Sequence, residues 1–139
     1  MTDDVIRFGV SMNRRLLDGL DRLCRRRGYA SRSEAIRDMV RERLVEQEWE
    51  GEDEVAGTIT IVYDHHAVSG PDLLNEVQHR YRQLIVATMH VHLDHDNCLE
   101  VLVVKGRPAE AREVADRLVS AKGVKHGRLT TTSTGRNLA

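Results

Sequence analysis

The feature that most constrains the fold is a short alternating segment near the N-terminus, residues 5–12, which reads VIRFGVSM. Ile6, Phe8 and Val10 alternate with residues that are mostly polar or small, which is typical of a strand with one apolar face. Two helical patterns follow, and no second strand pattern precedes residue 45. Because a lone strand leaves backbone groups unpaired on both edges, we expect it to pair with the same strand of a second chain.

The two helical patterns have recognisable ends. The first begins after Asn13, a favourable N-cap residue, and ends at Gly28, where a left-handed residue is favoured. The second begins at residues 31–34, which match a capping box. Each carries an apolar stripe, formed by Leu16, Leu20, Leu23 and Cys24 in the first and by Ala35, Ile36, Met39, Val40 and Leu44 in the second. The N-terminal segment is therefore predicted to be a strand-helix-helix unit that dimerises.

The charge distribution adds a candidate partner. Residues 1–45 hold 11 Lys and Arg against seven Asp and Glu, whereas residues 46–56 hold six acids and no base. A two-stranded ribbon fits the major groove of DNA, and its polar face would carry Arg7, Gly9 and Ser11 from both chains. We therefore expect these three residues to contact double-stranded DNA. On charge alone, a solvated face of an ordinary helical domain is an equally good interpretation.

The remainder of the chain alternates strands and helices in the order βαββαβ, a ferredoxin-like arrangement. The predicted strands are residues 58–63, 84–92, 98–104 and 124–132, and the predicted helices run from Ser69 to about Arg82 and from Pro108 to about Ala121. The predicted fold class is α+β, with a DNA-binding domain over residues 1–48, an acidic linker over 49–56 and a second domain over 57–139.

Candidate metal ligands concentrate on the central hairpin. His90 and His92 are two apart on a strand, so both side chains leave the same face. Cys98 shares that face if the hairpin loop has three or five residues, whereas a four-residue loop would put it on the other face, and we predict an odd loop. His79 lies about 200° around its helix from the apolar stripe, so it would point away from its own sheet, as a donor to a neighbouring chain would. From the residues alone Zn, Cu and Ni all remain possible.

The motifs RGY…RSEAIRD in the first segment, QH at 78–79, HVH at 90–92 and NCLE at 97–100 together resemble the nickel-responsive regulators called NikR. The similarity spans about residues 5–135, and the sequence departs from the family at Gly9, where relatives usually carry a hydroxyl residue. The resemblance implies a ribbon-helix-helix domain, an intertwined dimer, followed by an ACT-like domain that forms a tetrameric core. It also implies a repressor of nickel uptake genes that binds a palindromic operator.

The resemblance further implies one Ni(II) per subunit in a square-planar site. His90, His92 and Cys98 would come from one chain and His79 from a neighbour. From the residues, Glu100 lies two past Cys98 on the same face, and it and Gln78 are candidate partners that orient these ligands, with simple surface polarity as the alternative. Glu34 and Asp38 match a pair that lines a cation site, usually assigned to potassium, in the family.

Other observations limit the alternatives. No apolar run approaches the ~20 residues that a membrane span needs, and the start of the sequence does not read as a signal peptide, so we expect a cytoplasmic protein. Cys24 lies on an apolar stripe and is expected to be a buried, inert thiol. His65, His66 and His95 are read as solvated loop residues, with weak secondary metal sites as the alternative, and His126 is read as structural.

Two other functions remain to be weighed. A regulator of the same architecture could sense another transition metal or a small molecule through its second domain. A metalloenzyme is poorly supported, because four protein ligands leave no open coordination position and no set of base and nucleophile is apparent.

Overall fold

The computed structural model describes residues 4–66 and 69–139, with the backbone alone for residues 69–73. The chain divides into two compact units, Met1–Leu44 with Leu138–Ala139 and Val45–Asn137, which we call the N-terminal and C-terminal units. Within the described residues no helix is long and apolar enough to cross a membrane.

In the N-terminal unit, helix α1 covers Arg14–Arg27 and helix α2 covers Arg32–Glu50. Helix α1 begins and ends where the sequence predicts, and α2 begins where it predicts. The amide of Leu16 donates to the Asn13 side chain at 2.9 Å, and Gly28 adopts a φ of 76° at the C-terminus of α1. The capping box is also formed, because the amide of Glu34 donates to Ser31 Oγ at 3.2 Å and the Glu34 carboxylate accepts from the amide of Ala30 at 3.3 Å.

The predicted N-terminal strand is not formed within one chain. Residues 4–12 lie in neither helix nor strand, and the side chains of Ile6, Phe8 and Val10 are 82%, 77% and 58% exposed. The physical reason is that a strand needs a hydrogen-bonding neighbour, and the described part of this unit contains no other strand. The core of the unit is correspondingly small, with Leu20, Cys24 and Ala35 as its buried members.

The acidic stretch 49–56 differs from the expected linker. Helix α2 continues to Glu50 and the first strand of the next unit begins at Val55, so only residues 51–54 lie between them. The boundary between the units falls before Val45 because Val45 and Trp49 are buried. Trp49 Nε1 donates to the carbonyl of Thr132 at 2.8 Å, and the guanidinium of Arg112 stacks on its ring. The buried Trp49 ring and its hydrogen bond to Thr132 hold this part of the helix against the sheet.

The C-terminal unit has the predicted βαββαβ order and a ferredoxin-like sheet. Its elements are β1 Val55–Asp64, α3 Ser69–Arg80, β2 Ile85–His92, β3 Asn97–Gly106, α4 Pro108–Val119 and β4 Val124–Thr132. The strands are antiparallel and lie in the order β2-β3-β1-β4. The inner faces of β1 and β3 bury Ile59, Ile61, Leu102 and Val104 against Val114 and Leu118 of α4. In this strand order β2 lies at an edge of the sheet and pairs with β3 alone. The pairing of β2 with β3 therefore sets the positions of the histidines on β2.

Replacement of Trp49 should destabilise the C-terminal unit. We expect Trp49→Ala to lower the free energy of unfolding by about 3–5 kcal/mol, because a large buried ring is lost. Trp49→Phe should cost about 1 kcal/mol for the hydrogen bond to Thr132. Urea unfolding followed by circular dichroism at 222 nm measures both, with Glu50→Ala on the same helix as the exposed control. An unfolding midpoint of Trp49→Ala equal to that of the control would contradict this role.

Candidate metal centre

The hairpin of β2 and β3 places three predicted ligands on one face. His90 pairs with Glu100 and His92 pairs with Cys98, so the loop between the paired residues is the five-residue segment 93–97 and the predicted odd loop is confirmed. Cys98 and Glu100 are buried on the face of β3 that also carries Leu102. Since paired residues of antiparallel strands share a face, both histidines lie on the same side of the sheet as the thiol.

The turn between the strands is fixed by the carboxylate of Asp94. Its Oδ1 accepts from the amides of Asp96 at 2.9 Å and Asn97 at 2.8 Å, and the Asn97 side-chain amide donates to both carboxylate oxygens at 3.0 Å. The hydrogen bond from the Asn97 side chain, followed by those from the two amides, lowers the pKa of Asp94. Lys125 Nζ in turn donates to Asn97 Oδ1 at 2.7 Å. These contacts hold the start of β3, and with it Cys98, opposite His92.

Three potential metal donors converge at the end of this hairpin. Cys98 Sγ lies 3.3 Å from His92 Nδ1 and 3.4 Å from His65 Nδ1. The donor atoms of these residues all lie within 4.8 Å of one another. Two imidazoles and a thiol are a donor set that suits Ni, Cu or Zn, so the residues fit a borderline transition metal.

His65 is not among the metal ligands predicted from the sequence. It was read as a solvated loop residue, and its side chain is indeed exposed, yet its ring centroid lies 5.0 Å from that of His92. A signal for it was present in the predicted topology. In a ferredoxin-like sheet the end of β1 lies beside the start of β3, and here Tyr63 pairs with Cys98. A residue directly after β1 must therefore lie near Cys98.

Glu100 connects His90 to the core. Its carboxylate is buried, accepts a hydrogen bond from the Tyr63 hydroxyl at 3.3 Å and lies 3.6 Å from His90 Nδ1. Burial raises the pKa of Glu100, an effect that His90 and the Tyr63 hydrogen bond oppose. Burial, with the neighbouring carboxylate, also raises the pKa of Tyr63. A carboxylate beside Nδ1 favours the tautomer that leaves His90 Nε2 available as a ligand atom.

The structure does not bring His79 to the other predicted ligands. It is exposed in the last turn of α3, next to the half-buried Gln78, and belongs to neither group of metal donors found among the described residues. This exposure agrees with the prediction that the His79 side chain points away from its own sheet.

The predicted cation pair in the N-terminal unit already has partners. The Tyr29 hydroxyl donates to the Asp38 carboxylate, and Glu34 accepts from the amide of Ala30. Both acids line a small surface cavity of about 300 Å³ together with Arg37 and Arg41.

The predicted DNA contacts and the dimer face are open to solvent in one chain. Arg7, Gly9 and Ser11 are all exposed, and a Cβ atom added to Gly9 would meet nothing within 4 Å. The N-terminal unit also has an open apolar groove of about 670 Å³, lined by Met12, Leu16, Gly19, Leu20, Arg22, Leu23, Arg26, Ile36 and Met39.

The Asp94 turn supplies a test of how the hairpin is held. In Asp94→Ala the amides of Asp96 and Asn97 lose their acceptor, so we expect faster amide hydrogen exchange at both positions and a lower melting temperature. Asp94→Asn retains Oδ1 as an acceptor and should preserve most of the protection. Exchange measured by NMR distinguishes the two, and unchanged protection in Asp94→Ala would show that the turn does not depend on this carboxylate.

Two family profiles match the chain. The one described as "NikR C terminal nickel binding domain" covers residues 56–132, and the one described as "Ribbon-helix-helix protein, copG family" covers residues 6–47.

Several curated relatives are similar over nearly the whole chain. A protein of Nitratidesulfovibrio vulgaris strain DP4 is 56% identical over 134 residues, which is 96% of each chain. A protein of Solibacter usitatus is 56% identical over 95% of this chain and 96% of its own length. A third, from Geobacter metallireducens, is 51% identical over 97% of this chain and 98% of its own. All three are named as candidate nickel-responsive regulators. With both of its domains matched, the chain belongs to the NikR family of nickel-responsive regulators, which combine a ribbon-helix-helix DNA-binding domain with a nickel-binding domain.

Proposed function

We propose that this protein is a homotetrameric, nickel-gated DNA-binding regulator that represses genes for nickel uptake. The observation that carries the proposal is the pairing of His92 with Cys98, which gathers soft and borderline donors in a chain that begins with a ribbon-helix-helix domain. A metal-binding domain joined to a DNA-binding domain is the composition that a metal-dependent regulator requires.

DNA binding requires two chains. The exposed side chains of Ile6, Phe8 and Val10 and the apolar groove of the same unit are the surfaces that a second copy would cover. Pairing of the two N-terminal segments would satisfy their backbone groups and leave Arg7, Gly9 and Ser11 of both chains on the opposite face. Each such dimer would read half of a palindromic operator.

The proposed ligands of the metal are His90, His92 and Cys98 of one chain and His79 of another. When bound, Ni(II) supplies a Lewis-acidic centre that ties the two chains together, one ion per chain. Cys98 is buried at the start of β3, where an unpaired negative charge is costly, so a bound cation would stabilise its thiolate. Glu100 would hold the orientation of His90, and Gln78 would do the same for the adjacent His79.

His65 competes with His79 for the fourth position. Its contact with Cys98 is made within one chain, whereas His79 is exposed and belongs to neither described donor group. A fourth ligand from the same chain would leave assembly unaffected, but one from a neighbour would couple metal binding to assembly. The coupling is why we favour His79 for the regulatory state.

A potassium ion between Glu34 and Asp38 is a further part of the proposal. Such an ion would have to compete with the Tyr29 hydroxyl for the carboxylate of Asp38. The neighbouring Arg37 and Arg41 would oppose it electrostatically.

The first test is nickel-dependent DNA binding. One equivalent of Ni(II) per chain should tighten binding to a promoter fragment that contains a palindrome by at least tenfold, measured by fluorescence anisotropy. Arg7→Ala should weaken that binding by about 1–3 kcal/mol through lost contacts to base edges. Arg107→Ala, which removes the same charge from the C-terminal unit, is the matched control. Equal affinity with and without nickel would refute metal gating, and dependence on Zn(II) or a small molecule instead would favour the alternative sensor.

The second test identifies the fourth ligand. His79→Ala should lower Ni(II) affinity at least tenfold and remove the nickel-dependent gain in DNA binding, whereas His65→Ala should leave both near the values of the unmodified protein. Isothermal titration with Ni(II) measures the affinity, and His126→Ala controls for loss of an exposed imidazole. If His65→Ala shows the defect and His79→Ala does not, the fourth donor comes from the same chain.

A further inference from the structure

Residues 133–139, which follow the last strand, return from the C-terminal unit to the N-terminal unit. Strand β4 ends at Thr132 within the C-terminal unit, whereas Leu138 and Ala139 belong to the N-terminal unit. Helix α2 crosses the same boundary after Leu44. Two separate segments of the chain therefore connect the units.

The segment contacts α2 at both of its ends. At its start, Trp49 Nε1 donates to the carbonyl of Thr132 at 2.8 Å. At its end, the guanidinium of Arg41 donates to the carbonyl of Ala139, at 3.3 Å from Nε and 3.1 Å from Nη2. Arg41 and Trp49 lie on one helix, so the two contacts are separated by about 12 Å along its axis. An extended chain of this length reaches roughly 25 Å, so the segment can span that distance.

A turn defines the path of the segment between these contacts. Gly135 has a φ of 83°, in the left-handed region that favours glycine, and its amide donates to Ser133 Oγ at 3.0 Å. A Cβ atom added to Gly135 would meet nothing within 4 Å, so a substitution there would strain the backbone alone. The turn shortens the path of the segment, which suits the short distance between its two contacts.

The end of α2 beside the boundary is poorly stabilised by its own charges. Glu46, Glu48 and Glu50 lie near its C-terminus, and its last turn contains no basic residue. Negative charge is unfavourable there, because the carbonyl end of a helix is itself negative. Contacts with other segments therefore contribute more to the order of α2 across residues 42–48 than the charges of the helix do.

We propose that residues 133–139 form a strap along α2 that keeps this helix continuous across the boundary between the units. The strap is attached by one contact in each unit, so loss of either contact loosens the same stretch of α2. Its consequence for regulation rests on the proposed function. A stiff helix between the two units would let nickel binding in one restrict the other, whereas a frayed helix would let them move independently.

The test is amide hydrogen exchange of the full-length protein, measured by mass spectrometry without nickel or DNA. Arg41→Ala removes the contact to Ala139, and exchange of residues 42–48 should become about fivefold faster, because this stretch opens locally. Gly135→Ala, which strains the turn without changing α2, should have the same local effect. Arg136→Ala is the matched control, because it removes an exposed side chain of the segment and leaves the backbone in place.

A shortened chain separates the strap from a general loss of stability. Removal of residues 134–139 should speed the exchange of residues 42–48 as much as Arg41→Ala does and leave Leu102 in the core of the sheet within twofold. Arg41→Ala in the shortened chain should add nothing, because both changes remove one contact. Unchanged exchange in either variant, equal acceleration at Leu102 or additive effects would overturn the proposal.

DNA binding tests the regulatory consequence separately. The shortened chain should show a smaller nickel-dependent gain in DNA affinity than the unmodified protein, measured by fluorescence anisotropy. If the unmodified protein shows no such gain, the proposed function fails while the exchange result still decides whether the strap exists. If the gain is present and the shortened chain retains all of it, the strap has no part in regulation.

Discussion

The metal centre depends above all on the register of β2 against β3. Antiparallel pairing sets His92 opposite Cys98, and a slip of one residue would turn both histidines to the other face of the sheet. Two features oppose such a slip. The Asp94 carboxylate holds the turn, and the opposite edge of β3 is paired with β1 along the whole strand, so β3 cannot move without disrupting the core.

Strand β3 passes from hydrophobic core to polar site along one face. Val104 and Leu102 pack against α4, while Glu100 and Cys98 are equally buried but carry polar or ionisable groups. A buried carboxylate is costly unless it is partnered, and Tyr63 and His90 provide the partners of Glu100. The same contacts that partner this acid in the interior orient an imidazole at the surface, so the site is built directly on the buried face of β3.

The sequence was informative where local chemistry determines the structure. Both ends of α1 follow from Asn13 and Gly28, and the start of α2 follows from the capping box. The alternation of HVH places His90 and His92 on one face, whereas the side of Cys98 depended on the predicted odd loop, which the pairing with His92 confirms. Two features could not be read locally. His65 joins the donors only through pairing of distant strands. Helix α2 continues through Trp49 into the predicted linker, and Trp49 contacts residues more than 60 positions away.

In one chain, both units expose apolar side chains that a second chain could cover. Assembly of chains is therefore a step through which a small ion could control DNA binding. The N-terminal unit exposes the apolar side chains of residues 6, 8 and 10, and the outer face of the sheet exposes Met89 and Val91 on its edge strand. A ligand that binds only an assembled form stabilises that form, and the stabilisation grows with the ratio of ligand concentration to dissociation constant. An exposed donor such as His79 meets this condition if it completes the site of a neighbouring chain, whereas a site closed within one chain by His65 does not. The identity of the fourth donor therefore decides whether nickel binding stabilises the assembled form of the protein or only holds the metal within one chain.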